Sequence, residues 1–391
     1  MSRGDESTER SLRDLRAPDE AEASRRAWGA VADAFDERAP VRRRRRVLPV
    51  TAVATAVLVG SAALTPPGRA IAQWARKVVT PSRSATPDPV ALGVAGRLLV
   101  SRSDGLAILR PDGSGRSLGV YSEGTWSPHC KYVAATVGRT ISAIDPETAE
   151  VRWTRTQPGV VSSPRWAPSG FRVAYLTRHR ELWVVRGDGV SNRPLVIPVA
   201  DVSPAWRPGG AANVIAYATT RRQVETVDVD SGRRLARISV QRSIRSLHWT
   251  YDGRDLVIAD DAGVLAVAVD TGRRVRVRRL AGPPAALSIS PTRREAALLA
   301  STSSRPIVIP IDRPERLRAL ESTIGVTDLH FTPDGTQVLL ASAAGDSWQK
   351  ASAGGRLVSP RFEAVSTRPV TGGGVEPSFP RVRGWCADAR P

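Results

Sequence analysis

The sequence predicts an all-β protein, a β-propeller of four-stranded blades, and three observations predict it. One phrase returns six times at intervals near 40 residues, which is typical of propeller and solenoid arrays. Short strand-like runs recur between the copies, separated by turn-forming residues. No helical periodicity is found after Gly96. The copies are TWSPHCKYVAA (125–135), RWAPSGFRVAY (165–175), AWRPGGAANVIAY (205–217), HWTYDGRDLVI (248–258), SISPTRREAAL (288–298) and HFTPDGTQVLL (330–340).

An anchor residue, aromatic in five copies, fixes the spacing of the phrase. The intervals between anchors are 40, 40, 43, 40 and 42 residues. In the copy at Trp166 the phrase is followed by the runs RVAYLTR, ELWVVRGDG and RPLVIPV. Four strands per unit describe one propeller blade, and we expect each anchor to end an innermost strand and pack between neighbouring sheets. The anchors are Trp126, Trp166, Trp206, Trp249, Ile289 and Phe331.

The turn residues of the phrase support the same architecture. Pro, followed by Gly or by Asp-Gly, favours a tight turn into the second strand. With these residues the phrase resembles the WSPDG-type repeat of TolB-like and WD-type β-propellers over roughly residues 91–345. This resemblance implies a fold and no particular activity, because the repeat is structural. We therefore assign residues 91–391 to the propeller.

The two ends of the array decide the number of blades. Residues 97–121 supply three strands but no innermost strand, and six anchored copies follow. The tail EPSFPRVRGWC (376–386) contains a strand-like run that can serve as the missing innermost strand. We therefore predict seven blades, the first being shared by the two ends of the array. Six blades is the alternative.

The chain has two cysteines, Cys130 and Cys386. Two cysteines and four scattered histidines do not make a structural zinc site. Cys130 lies in the turn of the first anchored copy and Cys386 ends the proposed closing strand, so they form a candidate disulfide. That bond would close a loop of more than 250 residues, worth about 4–5 kcal/mol in the chain-entropy model. Two separate buried thiols are the alternative.

Residues 1–41 are predicted to be a cytoplasmic tail. Within it, apolar side chains at helical spacing predict an amphipathic helix over residues 19–37. A single helix cannot bury an aromatic stripe by itself, so Trp28, Val31 and Phe35 are a candidate surface for a cytoplasmic protein partner. A partly formed helix without a partner is the alternative.

A charge-free run of 18 residues (47–64) follows the five arginines Arg42–Arg46. Its length is at the short end for a transmembrane helix, and the positive-inside rule places the N-terminus in the cytoplasm. Residues 65–90 follow as a juxtamembrane helix and linker. The sequence thus predicts a single-pass cell-membrane protein with an extracytoplasmic propeller. A cleaved secretory or twin-arginine signal is the alternative.

No motif in the sequence convincingly indicates catalysis, a cofactor or a metal ion. Residues 115–119 match G-x-S-x-G, but they lie between blade strands and not at a strand-to-helix elbow. His248 and His330 occupy equivalent positions just before their anchors, so the repeat explains them. No lysine follows phosphate-binding glycines, and no calcium loop or carboxylate pair is found. We expect neither an enzyme nor a cofactor.

The net charge of the chain is +19 at pH 7, carried by 57 Arg and Lys against 38 Asp and Glu. Nearly all of the basic residues are scattered arginines, which argues against a nucleic-acid partner. From residue 65 onward 45 basic residues stand against 28 acidic ones, an excess that suits an anionic envelope polymer. The sequence therefore predicts a non-enzymatic binding module for a protein, a peptide or an anionic envelope polymer.

Transmembrane signalling is the alternative function. A cytoplasmic helix, one membrane span and an outer domain are similar to the layout of bacterial membrane-anchored anti-sigma regulators. In that alternative the propeller is the sensor and the N-terminal helix is the effector. The likeness is one of layout, because the N-terminal residues hold no zinc motif and too few helices for the usual sigma-binding domain.

Overall fold

The computed structural model describes residues 96–209, 213–359, 362–363, 365–367, 370–371 and 378–387. The predicted tail helix, membrane helix and juxtamembrane segment lie outside these residues. Among the residues that are described, no helix has the length and apolar character needed to cross a membrane. The described elements are β-strands and two 3₁₀ turns, Pro314–Arg316 and Val365–Thr367.

Seven sheets form the blades, which confirms the all-β propeller and the predicted number of blades. Blade 1 contains β1 (Arg97–Arg102), β2 (Gly105–Leu109) and β3 (Gly115–Gly119). Blade 2 contains β4 (Glu123–Trp126), β5 (Val133–Val137), β6 (Thr140–Ile144) and β7 (Val151–Thr156). Blade 3 contains β8 (Val161–Trp166), β9 (Arg172–Thr177), β10 (Glu181–Arg186) and β11 (Arg193–Val196). Blade 4 contains β12 (Ala205–Trp206), β13 (Val214–Thr220), β14 (Gln223–Asp228) and β15 (Arg234–Ser239).

The remaining blades follow the same order along the chain. Blade 5 contains β16 (Ile244–Trp249), β17 (Asp255–Asp260), β18 (Gly263–Ala268) and β19 (Arg274–Arg279). Blade 6 contains β20 (Pro284–Ile289), β21 (Glu295–Ala300), β22 (Ile307–Pro310) and β23 (Arg318–Ala319). Blade 7 contains β24 (Asp328–Phe331), β25 (Gln337–Ser342) and β26 (Ser347–Ser352). Two strands near the C-terminus, β27 (Val370–Thr371) and β28 (Arg381–Cys386), join blade 1.

The two ends of the array close the ring in blade 1. Strand β28 pairs antiparallel with β1, from Arg97 opposite Cys386 to Ser101 opposite Arg381. The tail therefore supplies the missing innermost strand, as the strand count predicts. Strand β27 pairs in parallel with the outermost strand β3, so this sheet has five strands. The sequence analysis did not predict that fifth strand, because β27 is only two residues long.

Hydrophobic patterning explains which strands lie inside each blade. The second and third strands face neighbouring blades on both sides, so runs such as Asp255–Asp260 are buried throughout. Outermost strands alternate: in β19 Val277 is buried and its arginine neighbours are exposed or half-buried. Blade 7 departs from the rule, because among the described residues only isolated bridges, Trp348 with Phe362 and Ala351 with Leu357, flank β26 on its outer side.

The anchor residues end the innermost strands and pack between blades. Trp249 is 6% exposed and lies in a core cluster shared by blades 4 and 5. Its indole N–H donates to the carbonyl of Ala205 in blade 4 at 3.0 Å, and the indole of Trp206 donates to Arg165 in blade 3 at 2.8 Å. Trp249 therefore joins blade 5 to blade 4, and Trp206 joins blade 4 to blade 3. Ile289, the aliphatic anchor, is only partly buried.

Because neighbouring strands are antiparallel, the loops and turns lie on two opposite faces of the propeller. The loop face carries the loops that lead from one blade into the innermost strand of the next, together with the turns between second and third strands. The anchor face carries the turns that follow the anchors, together with the turns between third and fourth strands. Each innermost strand starts at the loop face and ends at the anchor face.

Candidate functional site

The innermost strands of the seven blades surround the central channel. Side chains alternate along a strand, and the anchors point into the core between blades. The residues one and three positions before each anchor therefore lie on the channel side. Most of them are half-buried. In blades 2 to 7 the ring nearer the anchors contains Thr125, Arg165, Ala205, His248, Ser288 and His330, whereas Trp385 of blade 1 packs against the core between blades 7 and 1. The ring nearer the loop face contains Glu123, Ser163, Ser203, Ser246, Ala286, Asp328 and Arg383.

A polar chain runs across three blades in the second ring. The backbone N–H of Ser163 donates to the Glu123 carboxylate at 2.6 Å, and the hydroxyls of Ser163 and Ser203 lie 2.8 Å apart. Ser163 has a φ of 54°, and the register of β8 shifts between Ser162 and Arg165. A left-handed serine in a bulged strand is strained, and bulges of this kind re-aim side chains near functional sites.

Two basic groups of the first ring act on each other. Burial is the main cause that lowers the pKa of Arg165, and the Arg383 guanidinium lowers it further, while the Glu123 carboxylate raises it. Burial also lowers the pKa of His248 to about 4, and the charge of Arg165 adds to that shift. His248 is therefore neutral at physiological pH, while an arginine stays protonated.

The channel histidines contact polar groups on their own strands. His248 Nε2 lies 3.1 Å from the Ser246 hydroxyl, and His330 Nε2 lies 3.3 Å from Asp328 Oδ2. Burial raises the pKa of Asp328, but the hydrogen bond and charge of His330, with the charge of Arg381, lower it overall. A nucleophile–base pair needs a third group that orients the base. Within the described residues no carboxylate bonds His248.

A pocket opens on the loop face beside the channel mouth, and we call it the mouth pocket. It has a volume of about 480 Å³. Its charged lining residues are Arg102, Arg381, Arg383 and Asp104, and the Arg102 and Asp104 side chains lie 3.5 Å apart. The rest of the lining consists of Ser101, Ser103, Gly105, Val120, Tyr121, Ser122 and Phe379.

Further arginines extend the positive charge around the loop face. Seven of them lie in the loops and turns of this face and are exposed. Within the described residues none of the seven forms an ion pair. They therefore add positive charge to the loop face on which the mouth pocket opens. The seven are Arg139, Arg178, Arg180, Arg221, Arg222, Arg242 and Arg305.

The anchor face carries a second pocket, which we call the anchor-face pocket. Its volume is about 390 Å³. At its centre Arg294 contacts three carboxylates: Asp252 at 2.8 Å, Asp312 at 2.7 Å, and Asp255. The hydrogen bond to Asp312 is the main cause that raises the pKa of Arg294. The lining holds three arginines and three aspartates: Arg254, Arg273, Arg294, Asp255, Asp270 and Asp312.

The structure joins the two cysteines in a disulfide on the anchor face. The Cα atoms of Cys130 and Cys386 are 5.8 Å apart, and the two residues are 4% and 7% exposed. Their burial follows from the fold, because the turn after Trp126 lies beside the end of the closing strand β28. The G-x-S-x-G match forms strand β3 of blade 1 (Gly115–Gly119) and no elbow. Within the described part of the chain no cluster of metal-ligating side chains is found.

Sequence reasoning missed the mouth pocket. Its arginines come from two distant segments, Arg102 at the end of β1 and Arg381 with Arg383 in β28. The alternation of arginine with Val382 in the tail was a usable signal, because it places Arg381 and Arg383 on one face of a strand. The sequence did not show that β1 and β28 pair antiparallel, which brings Arg102 at the end of β1 close to Arg381 at the start of β28.

No protein-family model matches the chain, and no curated protein matches it closely enough to count as a relative. Among solved structures, a chain of the "Crystal Structure of Mitotic Checkpoint Complex" is similar, with 13% identity over 62% of this chain and 80% of that chain and a TM-score of 0.51. The β-propeller domain of Myceliophteria thermophila Cps50 (Swd1) has 15% identity over 62% of this chain and 86% of that chain, with a TM-score of 0.49.

Identities this low speak to architecture and not to activity. The described residues form a seven-bladed β-propeller. The function of the propeller therefore depends on the chemistry of its channel and of its two faces.

Proposed function

We propose that the propeller is a non-enzymatic binding module whose anionic ligand docks on the loop face, at the channel mouth. A protein, a peptide or an envelope polymer can each present such a ligand. The mouth pocket carries the proposal, because its described lining holds three arginines against one aspartate, Asp104. Arginine presents several donors in a fixed fork, which suits carboxylate and phosphate groups in a partly desolvated hollow.

The surroundings of the pocket support the same ligand class. The seven exposed arginines of the loop face add a positive field that steers anions toward the channel. The channel behind the pocket has a deep cationic group in Arg165 and a neutral imidazole in His248. His248 has no orienting carboxylate within the described residues, and the arginines of the mouth pocket supply binding groups, so we propose binding and not catalysis.

A charge-reversal experiment with a matched control tests this proposal. The probe is fluorescently labelled inorganic polyphosphate, titrated into detergent-solubilised full-length protein at low and high salt. Arg381→Glu with Arg383→Glu changes the mouth pocket, and Arg254→Glu with Arg273→Glu makes the same charge change in the anchor-face pocket. We expect the first pair to weaken binding at least about tenfold, and the second by no more than about twofold.

Equal losses in the two double variants would show a nonspecific charge effect and overturn the proposal. Unchanged binding in the mouth-pocket variant would do the same. Urea unfolding of each variant shows whether a loss of binding comes from a loss of folded protein.

We also propose that the chain is a single-pass membrane protein with the propeller outside the cytoplasm. The apolar run 47–64 and the preceding arginines 42–46 support this placement. The Cys130–Cys386 disulfide supports it independently, since such bonds persist in oxidising compartments. Added protease should cleave the propeller on intact cells, and protection until the cells are permeabilised would contradict the proposal.

The signalling alternative depends on the aromatic stripe of the tail, Trp28, Val31 and Phe35. Deleting residues 1–40 tests it directly. Loss of a co-purified cytoplasmic protein, with polyphosphate binding unchanged, would favour a role in signalling. Retention of all partners would remove this alternative.

A further inference from the structure

An apolar wall stands beside the arginines of the mouth pocket. Val120 is 76% exposed, the highest value among the large hydrophobic side chains that the structure describes. Tyr121 and Phe379 line the same pocket, each packed partly against the core beneath it. Val120 is thus an exposed apolar residue at the edge of a concave site, a position where such residues contact ligands.

The backbone holds Val120 in this exposed position. The N–H of Tyr121 donates to the carbonyl of Gly119 at 2.8 Å, which closes a three-residue turn with Val120 at its apex. Gly119 has a φ of 113°, a conformation that favours glycine. A tight turn that ends strand β3 therefore presents Val120 outward, and the loop then enters blade 2.

The cationic side of the pocket is built for a small number of acidic groups. Arg381 and Arg383 are both exposed near the start of β28, on either side of buried Val382, and the pairing of β28 with β1 shifts register at Arg383. Arg383 donates its Nε–H to the Ser101 hydroxyl at 2.9 Å, which fixes the guanidinium at the pocket. Both guanidinium groups line the pocket, so two acidic side chains of one peptide can bind there.

We infer that the mouth pocket binds an acidic peptide segment of a partner protein in which an apolar or aromatic residue lies next to the acidic residues. The inference rests on the proposed anionic-ligand function and names its ligand class. Charge complementarity selects the acids, and the wall of Val120, Tyr121 and Phe379 selects their apolar neighbour. A uniformly charged polymer such as polyphosphate would leave that wall exposed to water. The volume of about 480 Å³ lies within the usual range for ligand sites.

The test uses two labelled peptides of equal length and charge, one with a central Glu-Phe-Glu and one with a central Glu-Gly-Glu, and polyphosphate as a third probe. Val120→Ser removes the apolar edge from the exposed turn. Val151→Ser is the matched control, because Val151 is 48% exposed at the start of β7. Affinities are measured by fluorescence anisotropy on the full-length protein.

We expect the wild type to prefer the phenylalanine peptide by about fivefold or more. Val120→Ser should remove the preference, while Val151→Ser should keep it and Arg383→Glu should weaken binding of both peptides. Equal affinities for the two peptides, with polyphosphate still bound through the arginines, would overturn this inference and leave the proposed function standing. Failure of all three probes to bind would overturn both.

Discussion

The mouth pocket and the anchor-face pocket each contain three arginines, and those arginines have different partners. In the anchor-face pocket three aspartates stand against them, and Arg294 holds Asp252, Asp255 and Asp312 together. In the mouth pocket one aspartate, Asp104, is the described counter-charge. Arginine side chains therefore have two roles in this propeller. Those of the anchor-face pocket form ion pairs within the fold, and we propose that those of the mouth pocket bind a ligand.

The difference extends over the two faces. On the anchor face, ion pairs join Arg97 to Glu147, Arg172 to Asp230 and Arg207 to Asp270, and the disulfide closes the ring there. On the loop face Arg245 pairs with Asp261, but the seven exposed arginines named above form no ion pair within the described residues. We infer that the anchor face is used for stability and that the loop face remains available for a ligand.

Removing Arg294 tests the structural half of this comparison and should have the largest effect. Arg294→Ala leaves Asp255, whose side chain is 4% exposed, buried without its cation. We expect the free energy of unfolding to fall by roughly 3–5 kcal/mol, measured by urea unfolding. Arg383→Ala on the loop face is the control and should change stability by no more than about 0.5 kcal/mol. Similar losses in both variants would contradict the division between the faces.

The disulfide gives the next largest effect. Replacing Cys130 and Cys386 by serine together should lower the free energy of unfolding by about 2–4 kcal/mol, because the bond spans 256 residues of sequence. Polyphosphate binding at low temperature should be unchanged, since the mouth pocket lies on the opposite face. A variant that keeps wild-type stability under oxidising conditions would show that the two thiols are not bonded.

A single added carboxylate should bring the charge of the mouth pocket closer to that of the anchor-face pocket, where aspartates balance the arginines. Ser103 is exposed in the pocket lining, so Ser103→Asp adds a counter-charge beside the arginines. We expect the affinity for polyphosphate to fall about fivefold, close to 1 kcal/mol. Thr271→Asp in the anchor-face pocket is the matched control, and its binding should equal that of the wild type. If the control loses as much affinity, net charge alone governs binding.

The two regions should also respond to acid in different pH windows. His248 has a folded pKa of about 4 against an ordinary value of 6.5. Its contribution to stability is therefore complete above pH 6.5 and is lost as the pH falls toward 4. Burial raises the pKa of Asp252, but its hydrogen bonds and the Arg294 charge lower it overall, below 3.8. The contribution of Asp252 is present above pH 3.8 and is lost below it.

His248→Asn should therefore flatten stability between pH 6.5 and 4.5, by an amount on the order of 0.5–1 kcal/mol after allowance for solvent in the channel. Asp252→Asn should lower stability above pH 3.8 and remove the loss of stability that the wild type shows below that pH. The measurement is the urea midpoint as a function of pH. If the urea midpoint of His248→Asn falls with pH in parallel with that of the wild type, His248 is not the cause of the stability loss below pH 6.5.

Much of the fold could be predicted because the repeat expresses local physical requirements. Each anchor needs a cavity between sheets and each turn needs glycine or proline, so spacing alone predicted the blades. The closing strand could also be predicted, since a blade without an innermost strand leaves backbone groups unpaired. Strand β27 could not, because two residues carry no periodic signal.

The candidate site was less accessible to sequence reasoning. His248 and His330 could be placed before their anchors, but the partners of Arg165 could not be named. Glu123 and Arg383, which set the charge around Arg165, come from blades 2 and 1, at separations no motif connects. The surroundings of Arg165 are formed by residues of three blades, so they could be named only once the order of the blades around the ring was known.

The sequence by itself determined the blade architecture, the number of blades and the closing of the ring by the tail, because periodicity and turn chemistry act over short stretches of chain. Only the tertiary structure decided which arginines are paired. Arg294 contacts three carboxylates from turns and strands of blades 5 and 6, whereas Arg381 and Arg383 line a pocket together with exposed Val120. Charge compensation acts through space, and the fold brings together the groups that compensate each other.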